Sequence, residues 1–246
     1  MAADDRDPIA AWMRLRETSG RRATIIDLYG LVAEPRGLAP HELPRQERLR
    51  LARSVVPVTW PGFETTEGSE RNDPIEILEY DHHWPRRFEE WHDLIANSLG
   101  TVAHRIEHVG STSVAGMPAK PIVDIQVSVA DMSDEAAYVP RLEAAVGVQL
   151  RSRDTMHRYF RPFAGRPRDV HVHVCNTGSE WERDHLLFRD FLRLHPEDAA
   201  RYADSKREAQ RIWSDDGWAY TDAKTEAILD ILGRAESWAS DRGWSP

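Results

Sequence analysis

The chain has 246 residues, a formal net charge of −9 at pH 7, 41% hydrophobic residues and one cysteine, Cys175. This composition supports a packed core and excludes an intramolecular disulfide framework and a zinc site built from a cysteine cluster. The acidic balance argues against binding to duplex nucleic acid, and no apolar run is long enough to cross a membrane. The acidic amino terminus lacks a signal-peptide pattern, so we expect a soluble, cytoplasmic protein without membrane partners.

Residues 1–72 are predicted to form a helical region. Apolar residues recur at helical spacing in IAAWMRLRE and in RATIIDLYGLVAEPRG, and PRQERLRLARSVV begins at Pro44, which suits the first turn of a helix. The following segment, WPGFETTEGSERNDP, is predicted to be a linker. This region carries no catalytic pattern. We expect it to dock on its neighbour, on a protein partner or on a second copy of the chain.

Residues 73–246 are predicted to form one α/β (α+β) domain. Strands are predicted in IEILEYD, TVAHRIEHV and PIVDIQVSV, and helices in WPRRFEEWHDLIANSLG and SDEAAYVPRLEAAV. VQLRSRDTMHRYFRPF and RDVHVHVCN are predicted to pair antiparallel around the turn AGRPR, and the residues after them are predicted to be helical. This order of elements indicates a small mixed sheet flanked by helices, with an N-terminal helical appendage. The first of these helices is expected to turn four side chains inward: Phe88, Trp91, Leu94 and Ile95.

The strand PIVDIQVSV has two chemically different faces. Its alternation puts Val123, Ile125, Val127 and Val129 on one face and Asp124, Gln126 and Ser128 on the other. The second face is too polar for a dry core, so we expect it to line a cleft or to face water.

A loop rich in glycine and hydroxyl groups, GSTSVAG, precedes this strand. Gly110 permits a close approach of the backbone, and the next three residues carry hydroxyls: Ser111, Thr112 and Ser113. If the chain turns into a helix after Gly110, its free N–H groups form an anion site, although Ser111 can equally serve as a simple helix cap. A Gly-Ser loop followed by an acid on an apolar strand is typical of a triphosphate cradle beside a metal-binding acid.

Together with YDHHWPRRFEEW before it and with FRDFLRLHPEDAARYADSK and YTDAK after it, the stretch from Ile106 to Val129 resembles the GrpB-like family. The resemblance spans roughly residues 75–232. That family is assigned to the nucleotidyltransferase-like superfamily and also occurs fused to dephospho-coenzyme A kinase. The superfamily pattern is Gly-Ser, then Asp-x-Asp/Glu, then a third acid on a later strand. It carries over to Gly110, Ser111 and Asp124, whereas Gln126 occupies the second acid position.

The third acid position falls in RDVHVHV, where His171 and His173 share a strand face with Asp169. We predict Asp124 as a metal ligand and Asp124, His171 and His173 as catalytic residues. The expected cofactor is a divalent metal ion, Mg²⁺ or Mn²⁺, and Zn²⁺ is also compatible with histidine ligands. The alternatives are that the two histidines contact a phosphate, act as acid or base, or are structural residues at a sheet edge.

Basic side chains are predicted to hold the anionic groups of a small substrate or a nucleoside triphosphate. Lys120 directly precedes the acid-bearing strand. Each of these basic side chains could instead be a solvated surface charge. The complete predicted substrate-binding set is Gly110, Ser111, Thr112, Ser113, Lys120, Gln126, Arg158, Lys206 and Lys224.

The resemblance implies a metal-dependent nucleotidyltransferase that acts on a nucleoside triphosphate and a small acceptor. Gln126 leaves that site one charge short, which keeps two alternatives open. One is a nucleotide- or anion-binding protein without transfer activity. The other is a different small-molecule enzyme, such as a cyclase, ligase or lyase, that uses the same cleft.

Overall fold

The computed structural model describes residues 7–18, 23–59, 63–65 and 74–246. In this part of the chain one mixed sheet has the strand order β1-β4-β5-β6-β3-β2. Strands β3 and β6 are parallel, and the other neighbouring pairs are antiparallel. The strands are β1 (Glu64–Thr65), β2 (Arg105–Val109), β3 (Val123–Val129), β4 (Val148–Arg153), β5 (Arg158–Pro162) and β6 (Val170–Asn176).

Helices precede, cover and follow the sheet, as the periodicity predicts. Three lie before it, α1 (Pro8–Thr18), α2 (Ile25–Ala33) and α3 (Arg45–Thr59). The others are α4 (Trp84–Leu99), α5 (Glu135–Arg141), α6 (Glu180–Leu194), α7 (Pro196–Trp213), α8 (Gly217–Asp222) and α9 (Thr225–Arg242). The mixed α/β fold class is confirmed. Among the described helices, none combines the length and apolarity needed to cross a membrane.

The structure corrects three local predictions. IEILEYD is not a strand, because it makes only an isolated bridge between Leu78 and Ala119. VQLRSRDTMHRYFRPF contains two strands rather than one, since Asp154 accepts hydrogen bonds from the N–H groups of Met156 and His157 and closes a turn. Of the predicted linker, Glu64–Thr65 form β1, while residues 60–62 and 66–73 lie outside the described part of the chain.

The apolar face of the sheet is the main core of the domain. The valine and isoleucine side chains of β3 and the valines of β6 pack there with Ile95 and Leu99 of α4 and with Tyr138 of α5. Leu94 is 46% exposed, so its predicted inward direction is wrong. Helices α4 and α5 thus cover one face of the sheet and leave the polar side chains of β3 on the other.

Helix α6 covers part of this second face. Gln126 and Ser128 have no exposed surface, and Ser128 donates a hydrogen bond to Glu182 of α6. The expectation that this whole face meets a cleft or water is therefore wrong for these two residues, which are fully buried. Asp124, nearer the end of the strand where the loop begins, keeps 28% of its side chain exposed.

The carboxyl-terminal helices connect the sheet to the N-terminal helices. Phe191 of α6, Tyr202 of α7 and Ile231 of α9 share one hydrophobic cluster. A different cluster joins residues of α1, α2 and α3 to Ile75 and to Trp213, Ala219 and Tyr220 of the α7–α8 segment. The division of the chain at residue 72 stays a prediction, although residues on both sides of it share this cluster.

Candidate functional site

Gly110 brings the loop after β2 against Asp124 on β3. Its backbone has φ 68° and ψ −172°, a conformation that is essentially restricted to glycine. A Cβ atom at this position would lie 2.6 Å from Asp124 Oδ2 and 3.1 Å from Asp124 Cβ. Glycine is therefore required both by its backbone angles and by the neighbouring carboxylate.

The segment after Gly110 forms a single 3₁₀ turn, Ser111–Ser113, rather than the α-helix on which the predicted helix-terminus anion site depends. Two of its hydroxyls serve the loop itself. Ser113 Oγ donates to Gly110 O over 2.6 Å, and Thr112 Oγ1 shares a hydrogen bond of 2.9 Å with His108 Nε2. The third hydroxyl, Ser111 Oγ, accepts a hydrogen bond from Lys206 Nζ over 2.9 Å.

Asp124, His171 and His173 come together as predicted, because β3 and β6 pair in parallel with Asp124 beside His171 and Gln126 beside His173. Asp124 Oδ1 lies 3.1 Å from His171 Nδ1 and 3.7 Å from His173 Nε2. One ligand atom from each of the three residues lies within 4.8 Å of the others. This cluster is a possible metal-ligand triad.

Hydrogen bonding and burial set the charges of the triad. Burial raises the pKa of Asp124, but its bonds to His171 and His173 outweigh that effect and hold it well below its usual value. Burial lowers the pKa of His171 to about 4 and also lowers that of His173. At neutral pH the triad therefore offers one carboxylate and two neutral imidazoles, the protonation states that metal ligands need.

Gln126 is buried beside the triad without satisfying its own polar groups. Its side chain has no exposed surface, and neither Oε1 nor Nε2 has a hydrogen-bond partner among the described residues. His171 Nε2 and His173 Nδ1 are in the same condition. Such buried polar atoms are costly, which indicates that water or a ligand satisfies them.

The three lysines of the chain converge on the other side of the Gly110–Ser113 loop. Lys206, only 2% exposed, donates to Ser111 Oγ over 2.9 Å and to Pro118 O. Lys120 and Lys224 both lie over the ring of Tyr220, with Nζ 5.4 Å and 4.3 Å from its centroid. This Lys120–Lys206–Lys224 group is called the lysine cluster below.

Lys206 has neutral hydrogen-bond partners in a buried site. Burial, and after it the positive charges of Lys224, Arg207 and Lys120, lower its pKa to about 6 against a smaller opposing effect of Asp124. An anion that enters the cluster would stabilise the protonated amine, so the site is electrostatically suited to a negatively charged ligand.

Arg158 does not belong to this site, contrary to the prediction. It lies opposite Val174 on the apolar side of the sheet, whereas its neighbour Tyr159 lies opposite His173. The Arg158 guanidinium donates to Glu135 at the start of α5 over 2.8 Å. The alternation of side chains along β5 therefore directs this arginine away from the cleft.

The sequence reasoning missed an aromatic wall beside the triad. Trp181 of α6 stacks on His185 at 3.7 Å and on His157 at 4.9 Å, and His173 lies 5.5 Å from the same indole. The four-residue spacing of Trp181 and His185 was visible in EWERDH. No local signal placed His157 there, because its position depends on the pairing of β5 with β6 in the sheet.

Comparison with known proteins agrees with this architecture. Residues 74–234 match the family model described as GrpB protein. A UPF0157 protein of Halalkalibacterium halodurans is 43% identical over 168 residues, which cover 68% of this chain and 85% of the relative. A UPF0157 protein of Streptomyces coelicolor is also 43% identical, over 65% of this chain and 84% of the relative.

Two further likenesses concern a longer protein and a solved structure. A dephospho-CoA kinase of Mycobacterium leprae is 34% identical over 178 residues, but these span only 43% of the kinase. The crystal structure of GrpB from Enterococcus faecalis matches 66% of this chain and 99% of its own, with a TM-score of 0.58 and 28% identity. The chain therefore belongs to the GrpB family.

Proposed function

We propose that the protein binds a nucleoside triphosphate together with one divalent metal ion and transfers the nucleotidyl group to a small acceptor. The observation that carries the proposal is the position of the Gly110–Ser113 loop. Its glycine lies against Asp124 on one side, and Ser111 bonds to the buried Lys206 on the other. A metal-ligand triad and an anion-binding group thus flank one short loop.

The donor set suits a single ion of a borderline metal, such as Mn²⁺ or Zn²⁺. Metal–ligand bonds of about 2.0–2.2 Å put neighbouring donor atoms roughly 3.0–3.5 Å apart. The separations of 3.1 Å and 3.7 Å from Asp124 Oδ1 to the two imidazoles are close to that range. A pair of magnesium ions fits poorly, because Asp124 is the single carboxylate of the triad and magnesium prefers anionic oxygen ligands.

The lysine cluster supports binding of the triphosphate. The three amines of the cluster can neutralise several phosphate oxygens, and Lys206, which bonds to Ser111, is positioned by two hydrogen bonds before any ligand arrives. Charged hydrogen bonds of this kind each contribute about 1.5–3 kcal/mol. The aromatic ring of Tyr220 attracts both Lys120 and Lys224, whose Nζ atoms lie 5.4 Å and 4.3 Å from its centroid.

In the proposed reaction an acceptor hydroxyl attacks the α-phosphorus. The new oxygen–phosphorus bond forms, the bond to the β-phosphate breaks, pyrophosphate leaves, and the hydroxyl proton passes to solvent. Asp124, His171 and His173 would hold the divalent ion, which would supply polarisation of a phosphate oxygen. The lysine cluster stabilises the charge that accumulates on the departing pyrophosphate, and Ser111 fixes its orientation.

Binding without transfer is the second candidate, and Gln126 favours it. This residue stands where the superfamily pattern has a second acid, and it brings no charge to the site. In this alternative the same cleft binds a nucleotide as a regulatory ligand.

Calorimetry with each nucleoside triphosphate and Mg²⁺, Mn²⁺ or Zn²⁺ tests the proposal, and pyrophosphate release with a panel of small hydroxyl acceptors tests the transfer step. We expect metal-dependent binding that Ser111→Ala or Lys120→Met weakens by about 1–3 kcal/mol. Asp124→Asn is expected to abolish pyrophosphate release while the circular dichroism spectrum is retained. Arg158→Met is the matched control, since its guanidinium lies on the opposite face of the sheet.

The outcomes separate the two candidates. Binding without pyrophosphate release from any acceptor would support the regulatory alternative. Absence of heat with every triphosphate and every metal would overturn both.

A further inference from the structure

The N-terminal helices contact the chain segment that carries part of the lysine cluster. Trp213 and Tyr220 belong to the same hydrophobic cluster as the buried residues of α1, α2 and α3. The ring of Tyr29 in α2 lies 6.0 Å from that of Trp213. These helices precede residue 74, where the match to the family model begins. A region outside the family match therefore packs against the segment that carries Tyr220. The lysine cluster together with Tyr220 is the anion subsite.

A buried carboxylate at the start of α8 fixes this contact. Asp216 has no exposed surface, and its Oδ2 accepts hydrogen bonds from Tyr29 Oη over 3.1 Å and from Arg48 Nε over 3.2 Å. Its Oδ1 accepts from the N–H groups of Trp218 and Ala219 and so caps α8. One side chain thus ties α2 and α3 to the first turn of α8.

A second carboxylate, Asp222, makes the corresponding contact at the end of α8. It is 5% exposed and accepts hydrogen bonds from the N–H groups of Ile25 and Ile26 in the first turn of α2. The first N–H groups of a helix lack partners within the helix, and the positive end of its dipole favours a carboxylate. Asp222 therefore anchors α8 to α2.

The short helix α8 joins these contacts to the anion subsite. It has only six residues and is too short to be stable without packing. Tyr220 lies in α8, between the two anchoring carboxylates, and its ring underlies Lys120 and Lys224. Lys224 follows Asp222 by two residues, so the position of its amine depends on where α8 is held.

We propose that the N-terminal helices are a structural part of the anion subsite, with Asp222 as the positioning residue that keeps Tyr220 and Lys224 in place for a polyphosphate. The inference rests on the proposed function, because it concerns the same lysine cluster. It assigns the N-terminal region a role inside its own chain, in which docking of α2 increases the affinity for the polyphosphate group.

Calorimetry of the full chain with inorganic tripolyphosphate in metal-free buffer tests the inference. We expect Lys224→Met to weaken binding about tenfold, and Asp222→Ala to weaken it about fivefold. When Asp222→Ala is added to Lys224→Met, the affinity for tripolyphosphate is expected to fall by less than about a further twofold. The reason is that the amine that Asp222 positions is already absent. A purely electrostatic effect of Asp222→Ala has the opposite sign, since removal of a nearby negative charge strengthens anion binding.

Three further variants separate positioning from general loss of structure. Asp222→Asn, which keeps an acceptor oxygen for the α2 N–H groups, is expected to restore most of the affinity. Tyr29→Phe removes one bond to Asp216 and is expected to weaken binding about twofold. Val146→Ala lowers stability from the core on the other face of the sheet and is expected to leave affinity unchanged.

The outcomes are distinguishable. Wild-type affinity in a folded Asp222→Ala variant, tighter binding by it, or fully additive losses in the double variant would overturn the inference and leave the proposed function standing. Failure of the wild-type chain to bind tripolyphosphate would overturn the anion subsite and this inference together.

Discussion

Replacement of Gly110 by alanine tests the close approach of the loop to Asp124. The backbone conformation at Gly110 costs a residue with a Cβ atom about 1–3 kcal/mol. The added Cβ would also lie 2.6 Å from Asp124 Oδ2, so the carboxylate has to leave the position in which it meets His171 and His173. We expect Gly110→Ala to lower the free energy of unfolding by about 2–4 kcal/mol and to weaken Mn²⁺ or Zn²⁺ binding at least about tenfold.

Gly116→Ala is the matched control, because Gly116 lies in the same loop with φ 77° and a Cβ there meets no atom within 4 Å. Urea denaturation measures stability and calorimetry measures metal affinity for both variants. Gly116→Ala is expected to show the backbone cost of about 1–2 kcal/mol and normal metal affinity. In an Asp124→Ala background, which removes the carboxylate but keeps the Cβ contact at 3.1 Å, most of the extra cost of Gly110→Ala should disappear. Equal behaviour of the two glycine variants would refute the reasoning.

Three predictions concern buried charges, each measured by urea denaturation. The pKa of Lys206 is 10.5 in the unfolded chain and about 6 in the folded chain, so between these values the unfolded chain binds one more proton. The free energy of unfolding of the wild type, relative to Lys206→Met, should therefore rise by about 1.4 kcal/mol per pH unit between pH 7 and 9. Burial lowers the pKa of His185 to about 4, so wild type should lose about 2 kcal/mol more than His185→Phe between pH 7.5 and 5. Arg48→Met should cost about 3–5 kcal/mol, because it leaves the fully buried Asp216 without its cation.

Each of these has an outcome that contradicts it. A pH-independent difference between wild type and Lys206→Met would mean that the amine stays protonated in the folded chain. Parallel pH curves for wild type and His185→Phe would show that this imidazole titrates normally. A loss below about 1 kcal/mol in Arg48→Met would place the Arg48–Asp216 pair among weak, solvated ion pairs.

Much of the fold follows from periodicity that is written in the sequence. The alternation in PIVDIQVSV assigned Val123 and Ile125 to the core, and both are fully buried. Helical spacing predicted α4, and Gly100 marks its end. Elements with weak patterns were less predictable. IEILEYD has the composition of a strand, but only Leu78 finds a partner, because pairing depends on a neighbouring edge that local sequence does not encode.

The candidate site was predictable where residues share one strand or one loop. Asp124, His171 and His173 could be placed on the polar faces of their strands by alternation alone, and the parallel pairing of β3 with β6 then put them side by side. Arg158 shows the limit of that method, because its position near the predicted strand HRYFRPF does not indicate which sheet face it occupies. Its direction follows only from the register with β6.

The chemical groups of the candidate site could be recognised from the sequence: the acid of PIVDIQVSV, the two histidines of RDVHVHV, a glycine-hydroxyl loop and three lysines in 246 residues. This recognition depends on side-chain identity and on two-residue spacing, both of which are local. The grouping of Lys120, Lys206 and Lys224, and the contact of Asp222 with α2, became visible only in the folded chain. The physical reason is that these contacts join residues far apart in the chain, whose meeting is set by helix packing and strand order rather than by any nearby sequence pattern.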